Sequence, residues 1–148
     1  MKKPLVYLAQ PMGGRYWREV VEEAESAQRA LAWYDFEGWC PPLKENFDNG
    51  YDRIVSTRDE LKPEWKKDLA ALSKSVALIS LRGDMASEGV GVEIAMAKYK
   101  FKIPVVIVSL SDDVGRVSHL EADHIAANIQ EACAWLKKRL SRAALKKK

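Results

Sequence analysis

Three short aliphatic runs, Leu5–Ala9, Val76–Leu81 and Val105–Val108, alternate along this chain with segments of helical spacing. Runs that are apolar at nearly every position, with Ser80 the one polar residue here, have no water-facing side. They belong in a parallel sheet whose two faces are both covered by helices. The sequence therefore predicts a doubly wound parallel α/β sheet. One helix is expected over Tyr16–Ala32, with Val20, Val21, Ala24, Ala27 and Leu31 on its inner face. A second has Pro63 in its first turn and Trp65, Leu69 and Leu72 on one side. A third covers Gly89–Tyr99, and a last one spans Glu121 to Leu140 with Ile125, Ile129, Ala132, Trp135 and Leu136 inward. Residues 33–60 mix aromatics with Pro, Gly and Asn; they read as an irregular insertion or lid, with a strand ending near Cys40.

At 148 residues the chain has the size of one domain, assigned to 1–140, followed by a basic tail at 141–148. With 47% hydrophobic and 30% charged residues it is neither disordered nor fibrous. No apolar run reaches the ~18 residues of a membrane span, and the N-terminus does not read as a signal peptide. A soluble, cytoplasmic protein is expected. The formal charge of +3 conceals an asymmetry: residues 137–148 hold seven basic residues and no acid, so the rest of the chain is net negative. No aromatics interleave with those lysines and arginines, so the tail reads as solvated and frayed, and nucleic acid is not expected as a partner.

Cys40 and Cys133 form no metal-binding spacing and read as reduced thiols. His119 and His124 are five apart, a poor spacing for one helix face, and read as surface residues. No metal and no cofactor is expected.

In doubly wound sheets, ligands sit beyond the carboxyl ends of the strands, where the winding reverses. Two glycine-bearing loops, 10–14 and 82–91, follow strands that can be neighbours there. Gly89 and Gly91 open a helix, an arrangement in which bare backbone N–H groups and the helix dipole favour an anion. Ile94 stands where a dinucleotide fingerprint needs a third glycine, so that motif does not apply. Glu93 follows directly. A carboxylate in the first turns of a helix is expected to stay ionised and to be able to attack a sugar carbon. Asp68 supplies a second acid, and paired acids are the usual means of breaking a bond to an anomeric carbon.

The segments Val6–Gly14, Lys67–Leu72, Ser87–Ala97 and Ile103–Ile107 resemble, in order, the nucleoside 2-deoxyribosyltransferase superfamily. The resemblance implies a flavodoxin-like sheet, no metal, and a covalent glycosyl–enzyme intermediate. It casts Glu93 as nucleophile at C1′, Asp68 as a group acting around the leaving base and sugar, and Tyr7 as a hydrogen-bond partner of the nucleophile. Gln10, Met12, Gly13, Gly14, Gly89 and Gly91 fall in its substrate-binding loops. Six residues before the nucleophile, where relatives acting on free nucleosides have an aspartate, this chain has Ser87. A hydroxyl there accommodates a phosphate that a carboxylate repels. That points to the branch hydrolysing nucleoside 5′-monophosphates, in which a serine, here Ser118, reaches a neighbouring subunit's phosphate and the protein is a homodimer. Three readings stand at this level: an N-glycosidase, a base-exchanging deoxyribosyltransferase, and a nucleotide-binding module without catalysis.

Overall fold

The computed structural model describes residues 2–44, 58–110 and 117–146, with backbone alone at 58–61 and 117–118. The elements are β1 (Leu5–Ala9), α1 (Trp17–Trp33), β2 (Glu37–Trp39), α2 (Pro41–Lys44), α3 (Arg58–Lys74), β3 (Ala77–Ser80), α4 (Glu88–Ala95), β4 (Val105–Val108), α5 (Val117–Leu120), β5 (His124–Ala126) and α6 (Ile129–Leu145). The five strands are all parallel, in the order β2-β1-β3-β4-β5. This is the doubly wound, flavodoxin-like arrangement. The winding reverses between β1 and β3, so their carboxyl ends lie side by side.

Strand alternation decides which helix each side chain meets. Val6 and Leu8 on β1, Ala77 and Ile79 on β3 and Val106 on β4 join Ala24, Ala27 and Leu31 of α1 and Ala132, Cys133 and Leu136 of α6 in one core. Tyr7, Ala9, Leu78, Val105 and Ile107, of opposite parity, join Ala71 and Leu72 of α3 and Ile94 of α4 in the other. Tyr7 is thereby committed to the face of the sheet that α3 and α4 cover.

Several expectations are corrected. The proposed Glu121–Leu140 helix begins only at Ile129, and the residues before it form the edge strand β5. Ile125 and Ile129 match helical spacing by coincidence. The true start is marked by Asn128, whose side chain accepts from Glu131 N at 2.8 Å, while Glu131 reaches back to Ala127 N at 2.9 Å. The helix continues to Leu145, so most of the basic run is helical rather than frayed. Pro63 lies inside α3 rather than in its first turn, because the helix already begins at Arg58. The strand expected near Cys40 is β2, and residues 45–57 of the expected lid lie outside the described residues.

α4 passes directly into a π-helical turn, Met96–Phe101, which Lys102 ends in a left-handed conformation (φ 56°). The loop from β3 to α4 is pinned at Gly83. Its N–H donates to Val108 O at 2.7 Å, and a Cβ there would lie 2.5 Å from Ile107 Cγ2.

Candidate active site

Parity and register set up the site. Trp39 on β2 and Tyr7 on β1 are register partners, so the two aromatic side chains stand next to each other on the α3/α4 face. Each holds one carboxyl group from a helix above. The Tyr7 hydroxyl donates to Glu93 Oε1 at 2.7 Å, and the Trp39 indole N–H donates to Asp68 Oδ1 at 3.0 Å. Both acids are buried, Glu93 at 8% and Asp68 at 6% exposure. Tyr7, Asp68 and Glu93, singled out in the sequence, are thus gathered on one face of the sheet. Trp39 was missed there, because a three-residue strand has too little alternation to show which side its last residue faces.

Glu93 does not have the ionisation expected of it. Burial pushes its carboxyl from 4.5 up to about 8; the Tyr7 hydrogen bond opposes the rise and the nearby Asp68 charge adds to it. The helix dipole that was expected to hold it charged acts within the first turn. Glu93 is the sixth residue of α4, where desolvation dominates.

The amino end of α4 is built differently. Ser87 is its N-cap, with Oγ accepting from Val90 N at 3.3 Å. A Cβ added at Gly91 would meet nothing within 4 Å, and one at Gly89 only Ser87 Oγ at 4.0 Å. These glycines leave the helix end bare instead of packing it against the sheet. A cavity of about 340 Å³ lies against this end, walled by Ser80 and Ile107 at the strand tips and by Arg82, Ser87 and Gly91. Glu93 is not in that wall. It lies on the Tyr7 side of α4.

Loop 10–14 contributes in two ways. Gly13 and Gly14 are exposed with open space around them, and Gly14 has the positive φ (73°) that favours glycine. Met12 is half-buried beside them. Gln10 is turned to α1, its amide donating to Val20 O at 2.9 Å and to Glu23 Oε1 at 2.7 Å. The sequence did not disclose the ion cluster it joins. Arg15, 8% exposed, forks onto both Glu23 oxygens at 3.1 Å, and Arg82 approaches Glu23 at 3.6 Å while pairing with Asp84 at 3.0 Å. This cluster ties the loops after β1 and β3 to α1.

Ser118 falls on α5, its side chain outside the described residues. His119 and His124 do not share a helix. His119 is buried, against expectation, and donates through Nε2 to Gly83 O at 3.1 Å. The half-buried His124 stacks on Trp135 with ring centroids 5.1 Å apart. Among the described residues no cluster of His, Cys, Asp and Glu could hold a metal ion.

No family model and no curated protein matches the sequence. Solved structures do. A 2-deoxyribosyltransferase from Bacillus psychrosaccharolyticus superposes with a TM-score of 0.66 at 15% identity, covering 86% of this chain and 89% of that one. A CMP N-glycosidase, BcmB, from Clostridium botulinum gives 0.53 at 16% identity, covering 91% and 98%. A conserved protein from Enterococcus faecalis V583 gives 0.59 at 15% identity, covering 93% and 99%. The chain has their fold. The architecture implied by the sequence resemblance is therefore met across nearly the whole length of these proteins. No helix among the described residues is long and apolar enough to cross a membrane.

Proposed function

We propose that this chain belongs to the nucleoside 2-deoxyribosyltransferase superfamily and cleaves the N-glycosidic bond of a (deoxy)ribonucleoside 5′-monophosphate. The observation that carries the reading is the pair of buried acids, each held by an aromatic donor, on the face of the sheet that α3 and α4 cover. Ionised Glu93 attacks C1′ as the C1′–N bond breaks, and the base departs with the bonding electrons. Asp68 lies close enough to raise the Glu93 pKa by its charge, and this closeness supports a role for it around the leaving base and sugar. Water then attacks C1′ of the glycosyl ester. Its oxygen stays on the sugar with one hydrogen, its other proton makes good the one that the departing base takes up, and Glu93 regains its carboxylate. The Ser87 hydroxyl and the Gly89 N–H, reached through the space left open at Gly89 and Gly91, would receive the 5′-phosphate, while the Val90 and Gly91 N–H groups stay bonded to Ser87. By the same reading Ser118 serves the phosphate of a neighbouring copy, and the working unit is a homodimer.

Tyr7 holds Glu93 in place and favours its charged form, so it sets the fraction of Glu93 ready to react. The second reading is exchange of the base instead of hydrolysis, after the 2-deoxyribosyltransferase that shares this fold. It shares every step up to the glycosyl ester. Incubation with a panel of ribo- and deoxyribonucleoside monophosphates, followed by separation of products, tests the proposal. Free base and sugar 5-phosphate are expected. A labelled acceptor base recovered in a new nucleoside selects exchange. Release of no base from any substrate, with nucleotides still raising the melting temperature, would leave a binding module.

A further inference from the structure

Trp39 has a second exposure. Its ring walls a cavity of about 360 Å³ that runs along the β2 edge of the sheet beneath α3. That volume is within the range of small-molecule sites. Leu5, Ala70, Ala71 and Trp39 give it an apolar floor. The two alanines put no long side chain over this floor, and the Lys44 ammonium stands 5.3 Å from the centroid of the indole ring, adding a further positive charge beside it. Lys2, Lys67 and Lys74 rim it, against the single carboxylate of Glu37. Lys67 is paired with Glu64 at 3.0 Å, whereas Lys2 and Lys74 have no ion-pair partner among the described residues. A flat apolar floor under an excess of ammonium groups suits a small planar organic anion, which stacks on the ring and places its charge between the lysines.

We infer that this groove binds a small aromatic carboxylate or sulfonate, and that Trp39 links its occupancy to Asp68. The link is geometric: the ring in the groove wall is the same one whose N–H holds Asp68 Oδ1 at 3.0 Å. An occupant that tilts the ring lengthens that bond and re-aims the acid. Only this second half rests on the catalytic reading given above.

The probe is 2-naphthoate titrated calorimetrically into the full chain, with the neutral 2-naphthalenemethanol as control. One saturable site is expected, with the alcohol and the double variant Lys2→Glu/Lys74→Glu each about tenfold weaker. Ala70→Trp, at an exposed position, is expected to fill the groove and abolish binding while circular dichroism shows the fold intact. Equal affinity for the alcohol, or binding untouched by Ala70→Trp, overturns the site. In ¹⁵N spectra naphthoate is expected to shift the Trp39 indole resonance, assigned by its loss in Trp39→Phe; an unmoved resonance overturns the link. Base release should respond to naphthoate in the wild type and not in Trp39→Phe. If no nucleotide is cleaved at all, the catalytic reading fails, and the calorimetric and indole results still decide this inference.

Discussion

Glu93 and Glu23 are the same residue type, and the fold gives them opposite surroundings. Glu23 is surrounded by donors: the Gln10 amide at 2.7 Å, the Arg15 fork at 3.1 Å and Arg82 at 3.6 Å. Its charge is neutralised on the spot and fastens two loops to a helix. Glu93 has one neutral donor, Tyr7, and among the described residues no cation. Burial then holds its proton up to about pH 8. A carboxylate compensated from all sides is structural, whereas one stripped of water and left without a counter-charge is poised to react.

The largest effect that can break this contrast is on Glu93 itself. Glu93→Gln is expected to slow base release by about four to six orders of magnitude, measured by product separation, because the proposed nucleophile is gone. A variant within tenfold of the wild type would remove Glu93 from the chemistry. Next comes the pH profile. In the proposed reaction only the ionised form attacks, so kcat/KM should rise with pH and level off above about 8, gaining about tenfold per pH unit below that value.

Stability should run the other way. The folded-state pKa of Glu93 lies above its ordinary value, so the folded chain holds this proton more tightly than the unfolded chain. Its contribution is complete below 4.5 and is lost as pH rises to about 8, at roughly 1.4 kcal/mol per unit at most. Glu93→Gln, which imitates the protonated form, should flatten that slope in melting curves taken across the window. A smaller change is expected from Tyr7→Phe. Loss of the hydrogen bond that favours the charged form moves the rate midpoint further above 8 and lowers turnover at neutral pH by about tenfold. A midpoint shifted to lower pH would show that Tyr7 does not favour the carboxylate. Least affected in rate should be Glu23→Gln: the melting temperature falls, with a loss on the order of 2 kcal/mol, while the midpoint for activity stays in place. Should that midpoint move with Glu23, the two carboxyl groups are coupled and the contrast fails.

What was legible in the sequence follows from how far each signal extends along the chain. Val105–Val108 appears as a strand over the very residues read as one, because four consecutive β-branched residues fit little else. The glycines and Glu93 were legible because their spacing is local. β5 was hidden because Ile125 and Ile129 imitate a helix, and only Asn128 and Glu131, a capping pair, marked where the helix begins. Trp39 and His119 were illegible for another reason. Their partners, Asp68 and Gly83, are 29 and 36 residues away, and contacts of that kind are created by the topology rather than by neighbours. The Glu93 pKa was misjudged because the dipole could be read from the helix start, whereas burial could not.

Gly83 limits how such a protein can diversify. Both of its peptide groups are held, one by Val108 and one by His119, and a single extra carbon would collide with Ile107. Re-aiming this hinge is closed to gradual change. New ligand preferences would have to arise by exchanging side chains further along the loop, at Met85 and Ala86, which line the cavity beside Ser87. Descendants of this chain would then differ in what they recognise while sharing one backbone path at that corner.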